Sequence, residues 1–189
     1  MTRHDHLRRL LETFTPADTQ EREHRARILQ LLDSSSQAFS RTHYTPGHVT
    51  ASAFVLDPSR TALLLILHGK LLKWLQPGGH VDPEDSDVLA SARREVREEV
   101  AVAELSLVGD GLLDLDVHAI PARGDQPAHE HFDVRFLFAA KDRHFSAGSD
   151  ARDARWVSID ELLHQGTQSE YPSDDSVLRA VRKLRGVTP

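Results

Sequence analysis

Three glutamates, Glu95, Glu98 and Glu99, recur at i, i+3 and i+4 within Val88-Leu89-Ala90-Ser91-Ala92-Arg93-Arg94-Glu95-Val96-Arg97-Glu98-Glu99-Val100. On a helix turning about 100° per residue they share one flank, beside an apolar stripe of Leu89, Ala92, Val96 and Val100. Like charges at these spacings repel by roughly 0.2–0.5 kcal/mol per pair on an exposed helix. Beside a low-dielectric stripe the repulsion grows. A hard divalent cation relieves it, and several carboxylates completed by water suit Mg²⁺ or Mn²⁺ better than a softer metal. Arg94, four residues before Glu98, can hydrogen-bond that carboxylate. Gly78 and Gly79, in the run Gln76-Pro77-Gly78-Gly79, let the backbone come close to a metal or a phosphate. Arg-Glu-x-x-Glu-Glu alone is more often a solvated helix face. The Pro-Gly-Gly turn and the apolar stripe raise it above that reading.

A second chemical face lies in His129-Glu130-His131-Phe132-Asp133-Val134-Arg135-Phe136-Leu137-Phe138. Strand alternation puts His129, His131, Asp133 and Arg135 on one side and Phe132, Val134, Phe136 and Phe138 on the other. The polar side is either a solvated face or the lining of a substrate cleft, with Arg135 on a phosphate or Glu130 as a base. His129 and His131 form a weak transition-metal pair, because no third ligand is in view. His80, next to Gly79, reads as a loop histidine or as a phosphate contact. Trp74 and Tyr44 are packing residues first and base-stacking candidates second.

These residues must be held by the elements around them. Leu7, Leu10, Leu11 and Phe14 recur at helical spacing up to Thr15-Pro16, and Asp18 or Thr19 caps a second helix to about Leu32. Residues 1–40 are therefore expected to be a helical hairpin appended to a main domain of residues 41–189. A lid or packing role is the expected one, with a homodimer contact or substrate gating as the alternative. Strands are expected at Val49 to Leu56, Ala62 to His68, Leu105 to Leu115, Phe132 to Ala140 and Trp156 to Ile159, with a turn at Gly69-Lys70. A long helix is expected from Asp87 to Val100, and a last one capped by Ser173 or Asp174. Strands on both sides of an inserted helix predict an α/β fold with a mixed sheet.

Composition narrows the chemistry. The 189 residues include no cysteine, which removes disulfides, a thiol nucleophile and thiolate-held metals. Twenty-nine acids against 23 bases give a net charge of −6, contrary to bulk nucleic-acid binding. Seven acids and three bases between Gly79 and Val102 supply −4 of that total, so the negative charge is concentrated where a cation is expected. The start reads as a charged helix rather than a signal peptide. The longest aliphatic run, Ala62 to Leu67, is far short of the roughly 20 residues a membrane span needs. A cytoplasmic protein without a membrane partner is expected.

The residues from Gly79 to Val102 resemble the signature of the Nudix hydrolases. Gly79 matches its opening glycine, and Arg94, Glu95, Val96, Glu98, Glu99 and Val102 match its second half. Trp74 to Gly79 and Trp156 to Leu162 resemble sequence that flanks this box, and the resemblance spans residues 48–165. One loop residue is extra, so the signature's first glutamate falls on Asp85 or Glu84. The late glycine is Ala101. If Ala101 is a left-handed helix cap, alanine costs about 1 kcal/mol there.

The resemblance implies an α/β/α Nudix sandwich and metal-dependent hydrolysis of a phosphoanhydride by water attack on phosphorus. It implies Glu98 and Glu99 as ligands of Mg²⁺ or Mn²⁺, with the Gly79 or Gly78 carbonyl nearby. Glu95 becomes a further ligand or the base, and Arg94 the residue that orients a carboxylate. A further acid beyond the box is also implied, with Glu130, Asp133, Asp114 and Asp116 as candidates. The implied substrate is a small nucleotide or nucleotide-sugar. The alternative is a silent Nudix module that binds a nucleotide as a regulator. Retention of Glu98 and Glu99 favours the enzyme.

Overall fold

Residues 1–69, 71–148, 151–164 and 170–186 are described by the computed structural model. The expected turn partner Lys70 lies outside them. The chain is an α/β protein built on a seven-stranded sheet. Its strands are β1 (Gly47–Leu56), β2 (Ala62–His68), β3 (Trp74–Leu75), β4 (Gly78–His80), β5 (Leu105–Ile120), β6 (His129–Ala140) and β7 (Ala151–Ser158). The order is β3-β2-β1-β6-β5, with β4 also paired to β1 and β7 to β2. The helices are α1 (Arg3–Thr13), α2 (Thr19–Ser34), α3 (Val88–Val100), α4 (Ile159–Leu163) and α5 (Asp175–Lys183), and the last runs into a 3₁₀ turn at Leu184–Gly186.

Two compact units are present. The first comprises Met1–Ser52, Gly79–Ala92 and Asp114–Arg135. The helical hairpin starts on a reciprocal cap, with Thr2 Oγ1 accepting the Asp5 N–H and the Asp5 carboxylate accepting the Thr2 N–H. Asp18 caps α2 by accepting the Glu21 N–H at 2.8 Å. Leu7, Leu11, Ile28 and Leu31 are buried. The hairpin is not a detached appendage. Glu21 is fully buried and accepts the N–H of Leu115 in β5, whose carbonyl in turn accepts from His24 at 3.0 Å. Arg27 of α2 pairs with Glu130. Glu21 also accepts the Ala17 N–H at 2.6 Å, so its carboxylate joins the hairpin to β5.

The second unit comprises Ala53–Gly78, Arg93–Leu113 and Phe136–Pro189. Its core gathers Phe54, Leu56, Leu63, Leu65, Trp74, Leu137 and Val157 of the strands with Ile159, Leu162, Val177, Ala180 and Val181 of α4 and α5. β2 runs antiparallel to β7, with Leu64 opposite Trp156, and to β3, with Ile66 opposite Leu75. Ala62 to Ile66 is buried throughout, on both faces of β2, which is what its continuous apolar run requires. Trp74 lies in this core, edge-on to Tyr171. β7 is longer than expected because the polar stretch Ala151 to Arg155 pairs along β2. Such pairing leaves no hydrophobic alternation to detect.

Candidate functional site

The carboxylates of α3 are held in two ways. Arg94 Nη1 donates to Glu95 Oε1 and to Glu98 Oε2, each at 2.9 Å. Glu99 Oε2 accepts the backbone N–H of Gly78 at 2.9 Å. That bond anchors the carboxylate to the glycine turn 21 residues earlier. Val96 and Val100, in the stripe beside the glutamates, are buried. Exposure separates the three acids, for the Glu95 side chain is 12% exposed and that of Glu98 is 58%. The helix ends on Ala101 in the left-handed region (φ +56), its N–H donating to the Arg97 carbonyl. Hard carboxylate oxygens of this kind fit a Mg²⁺-class ion, which takes one or two protein carboxylates and keeps water and phosphate for the rest.

The remaining expected residues have other employment. Gly79 sits in β4, half-buried. Asp85 folds the preceding loop by accepting the Asp82 N–H at 2.9 Å, and Glu84 is exposed. Glu130 is engaged with Arg27. Arg135 differs most from expectation. Its side chain is only 2% exposed and donates to Asp133 (2.8 Å), Asp116 (3.1 Å) and Asp114 (3.2 Å). Thr50 and Ser52 complete Asp133, and His118 approaches Asp116 at 2.9 Å. Burial pushes the guanidinium pKa down, but the three aspartates outweigh it and hold it above its ordinary value. The expected strand face is therefore real, since Arg135 meets Asp133 and His129 meets His131. The side occupied by Arg135 is nevertheless sealed. Its guanidinium ties three buried carboxylates together in place of the expected phosphate contact.

The profile of the NUDIX domain matches residues 46–179, which includes all of α3. The chain belongs to the Nudix family. It is accordingly an enzyme of the pyrophosphohydrolase class, in a family that uses divalent metal ions. A Nudix hydrolase from Clostridium perfringens has a similar fold, with TM-score 0.53 and 20% identity over 74% of this chain and 97% of that one. So has the Escherichia coli dihydroneopterin triphosphate pyrophosphohydrolase, with TM-score 0.55 and 15% identity over 71% and 92%. An Ap4A hydrolase of Caenorhabditis elegans gives TM-score 0.52 and 16% identity over 74% and 96%. No curated protein sequence matches. No helix among the described residues is long and apolar enough to cross a membrane.

One group in this Nudix protein was half visible in its sequence. His48, His80 and His131 each offer a ligand atom, and these atoms lie within 4.8 Å of one another. They come from β1, β4 and β6. Burial lowers the pKa of His48, takes His80 to about 4 and lowers His131 further, and the neighbouring imidazoles add to each shift. Each shift favours the neutral ring. His131 was expected with His129; His48 was missed. Only the pairing of strands distant in sequence brings His48 alongside, and nothing local to it signals that.

Proposed function

We propose that the protein hydrolyses a phosphoanhydride bond in a small nucleotide or nucleotide-sugar, using Mg²⁺ or Mn²⁺ and attack of water on phosphorus. The supporting observation is the anchoring of the α3 carboxylates, with Glu99 tied to Gly78 and Glu95 and Glu98 shared by Arg94. Glu98 and Glu99 would hold the divalent ion, which when bound supplies positive charge against the phosphate oxygens. Glu95 serves as a further ligand or takes the proton of the attacking water. Arg94 is a positioning residue that keeps two carboxylates on one side of the helix. A cytoplasmic setting belongs to the same proposal.

The test is product analysis over a panel of nucleotides and nucleotide-sugars, with and without exhaustive chelation. Phosphate or nucleoside monophosphate should be released only when Mg²⁺ or Mn²⁺ is restored. Glu99→Gln should lower kcat by about 10²-fold or more while the protein stays folded, because the amide keeps the shape and loses the charge. Metal-independent turnover, or near-normal turnover in folded Glu99→Gln, would refute the assignment.

A further inference from the structure

We infer that His48, His80 and His131 form a site for a borderline transition-metal ion of the Zn²⁺ type, built wholly from the first unit. Three imidazole nitrogens suit Zn²⁺, Cu²⁺ or Ni²⁺ and are poor partners for the hard Mg²⁺. Three histidines also make a complete protein ligand set for zinc, with a fourth position left to water.

The local chemistry supports this beyond proximity. His48 Nδ1 lies 3.2 Å from the His43 carbonyl. A carbonyl only accepts, so Nδ1 carries the proton and Nε2 keeps its lone pair. That is how metal-binding histidines are usually oriented. The same Nε2 is buried and has no hydrogen-bond partner among the described residues. An unsatisfied buried nitrogen is costly and rare, and an ion is one of the few things that satisfies it. The three ring centroids are 4.9–5.4 Å apart. Zinc bound at about 2.0–2.1 Å draws tetrahedral ligand atoms to roughly 3.3 Å, so small side-chain rotations close the set. The ligands stand on strands, and β1 is paired to both β4 and β6, which holds the three backbones in register. His129, stacked on His48 at 5.1 Å, and His118, 5.6 Å from His131, border the group.

The test uses full-length, untagged protein stripped of metal and then held in excess Mg²⁺. Zn²⁺ is titrated in competition with a chromophoric chelator. One Zn²⁺ per chain is expected. Affinity should fall by about 10²-fold or more in His80→Gln and His131→Gln, and Glu98→Gln should leave it unchanged. Zn²⁺ binding that survives both histidine changes, or that disappears with Glu98→Gln, would overturn the site. Should the histidine variants misfold, the wild type decides alone. Its Co²⁺ form should show the intense visible absorption of a four-coordinate ion and nitrogen-only protein ligands by X-ray absorption. An octahedral, oxygen-rich Co²⁺ would reject the site. Because the readout is binding, failure here leaves the hydrolase reading untouched, and loss of hydrolysis would not affect it.

Discussion

Two clusters in this protein share the same arithmetic, three carboxylates to one guanidinium, in opposite surroundings. On α3, Arg94 serves Glu95 and Glu98, while Glu99 turns to a backbone N–H and Glu98 is largely in solvent. On β5 and β6, Arg135 serves Asp114, Asp116 and Asp133, and all four side chains are buried. Taking such charges out of water costs several kcal/mol per ion, so the buried cluster must be answered by fixed protein partners. Thr50, Ser52 and His118 are those partners beside Arg135. The α3 cluster opens to water through Glu98, and a cation from solution can answer it there. The difference separates carboxylates that hold the fold from carboxylates offered to chemistry.

Replacing the two arginines should separate the clusters most sharply. Arg135→Met leaves three buried carboxylates without their cation and is expected to cost about 3–5 kcal/mol of stability. Arg94→Met leaves Glu98 in water and Glu95 partly sheltered, and should cost less, about 1–2 kcal/mol. Urea unfolding of both variants measures this. Turnover should follow the opposite pattern per kcal/mol, with Arg94→Met losing activity while still fully folded. Equal stability losses would break the distinction.

The two clusters were not equally legible in the sequence. A helix brings i, i+3 and i+4 together from local geometry alone, so the pairing of Arg94 with Glu98 follows from a wheel. Strand parity likewise put Asp133 and Arg135 on one side. Parity does not say whether that side faces water, and the same four residues fit a solvated face, a cleft or a sealed network. Asp114 and Asp116 decide it, and they arrive from another strand. His48 was illegible for the same reason, since its partners come from β4 and β6. Glu21 and His24 carry no local pattern that marks them as buried, yet both are buried and bond to Leu115. What non-local pairing decides, local pattern cannot carry.

Asp57 extends the comparison to a buried carboxylate answered mainly by neutral donors. It accepts from the N–H groups of Thr61 and Ala62 at 2.8 and 3.0 Å, from Ser59 Oγ at 2.5 Å and from Arg143 at 2.9 Å. Burial pushes its pKa up, but these donors outweigh that and hold it below the ordinary 3.8. A depressed folded-state pKa means the stabilisation is complete above the unfolded value and is lost as pH falls through the folded one. Asp57→Ala should therefore cost about 1.5–3 kcal/mol near neutrality. The gap from wild type should narrow once pH drops below about 3.8. Stability curves for the pair across acid pH check this, and a constant gap down to pH 2 would mean the charge of Asp57 is not what stabilises its turn.

The smallest expected effect concerns the end of the helix that carries the exposed cluster. Ala101 occupies a left-handed conformation at φ +56, where its Cβ crowds the backbone and the Nudix signature has glycine. The residue is exposed, so no packing interaction offsets that strain. Ala101→Gly removes a penalty of about 1–2 kcal/mol and returns part of it through the greater freedom of glycine in the unfolded chain. A net gain of about 0.5–1 kcal/mol is expected, read as a higher urea midpoint. The Glu95, Glu98 and Glu99 carboxylates keep their partners in this variant, so turnover should stay as it is. A gain in stability without a change in rate would show that the helix end can be relaxed independently of the acids it presents. Loss of stability would place the cost of this terminus somewhere other than the Ala101 backbone.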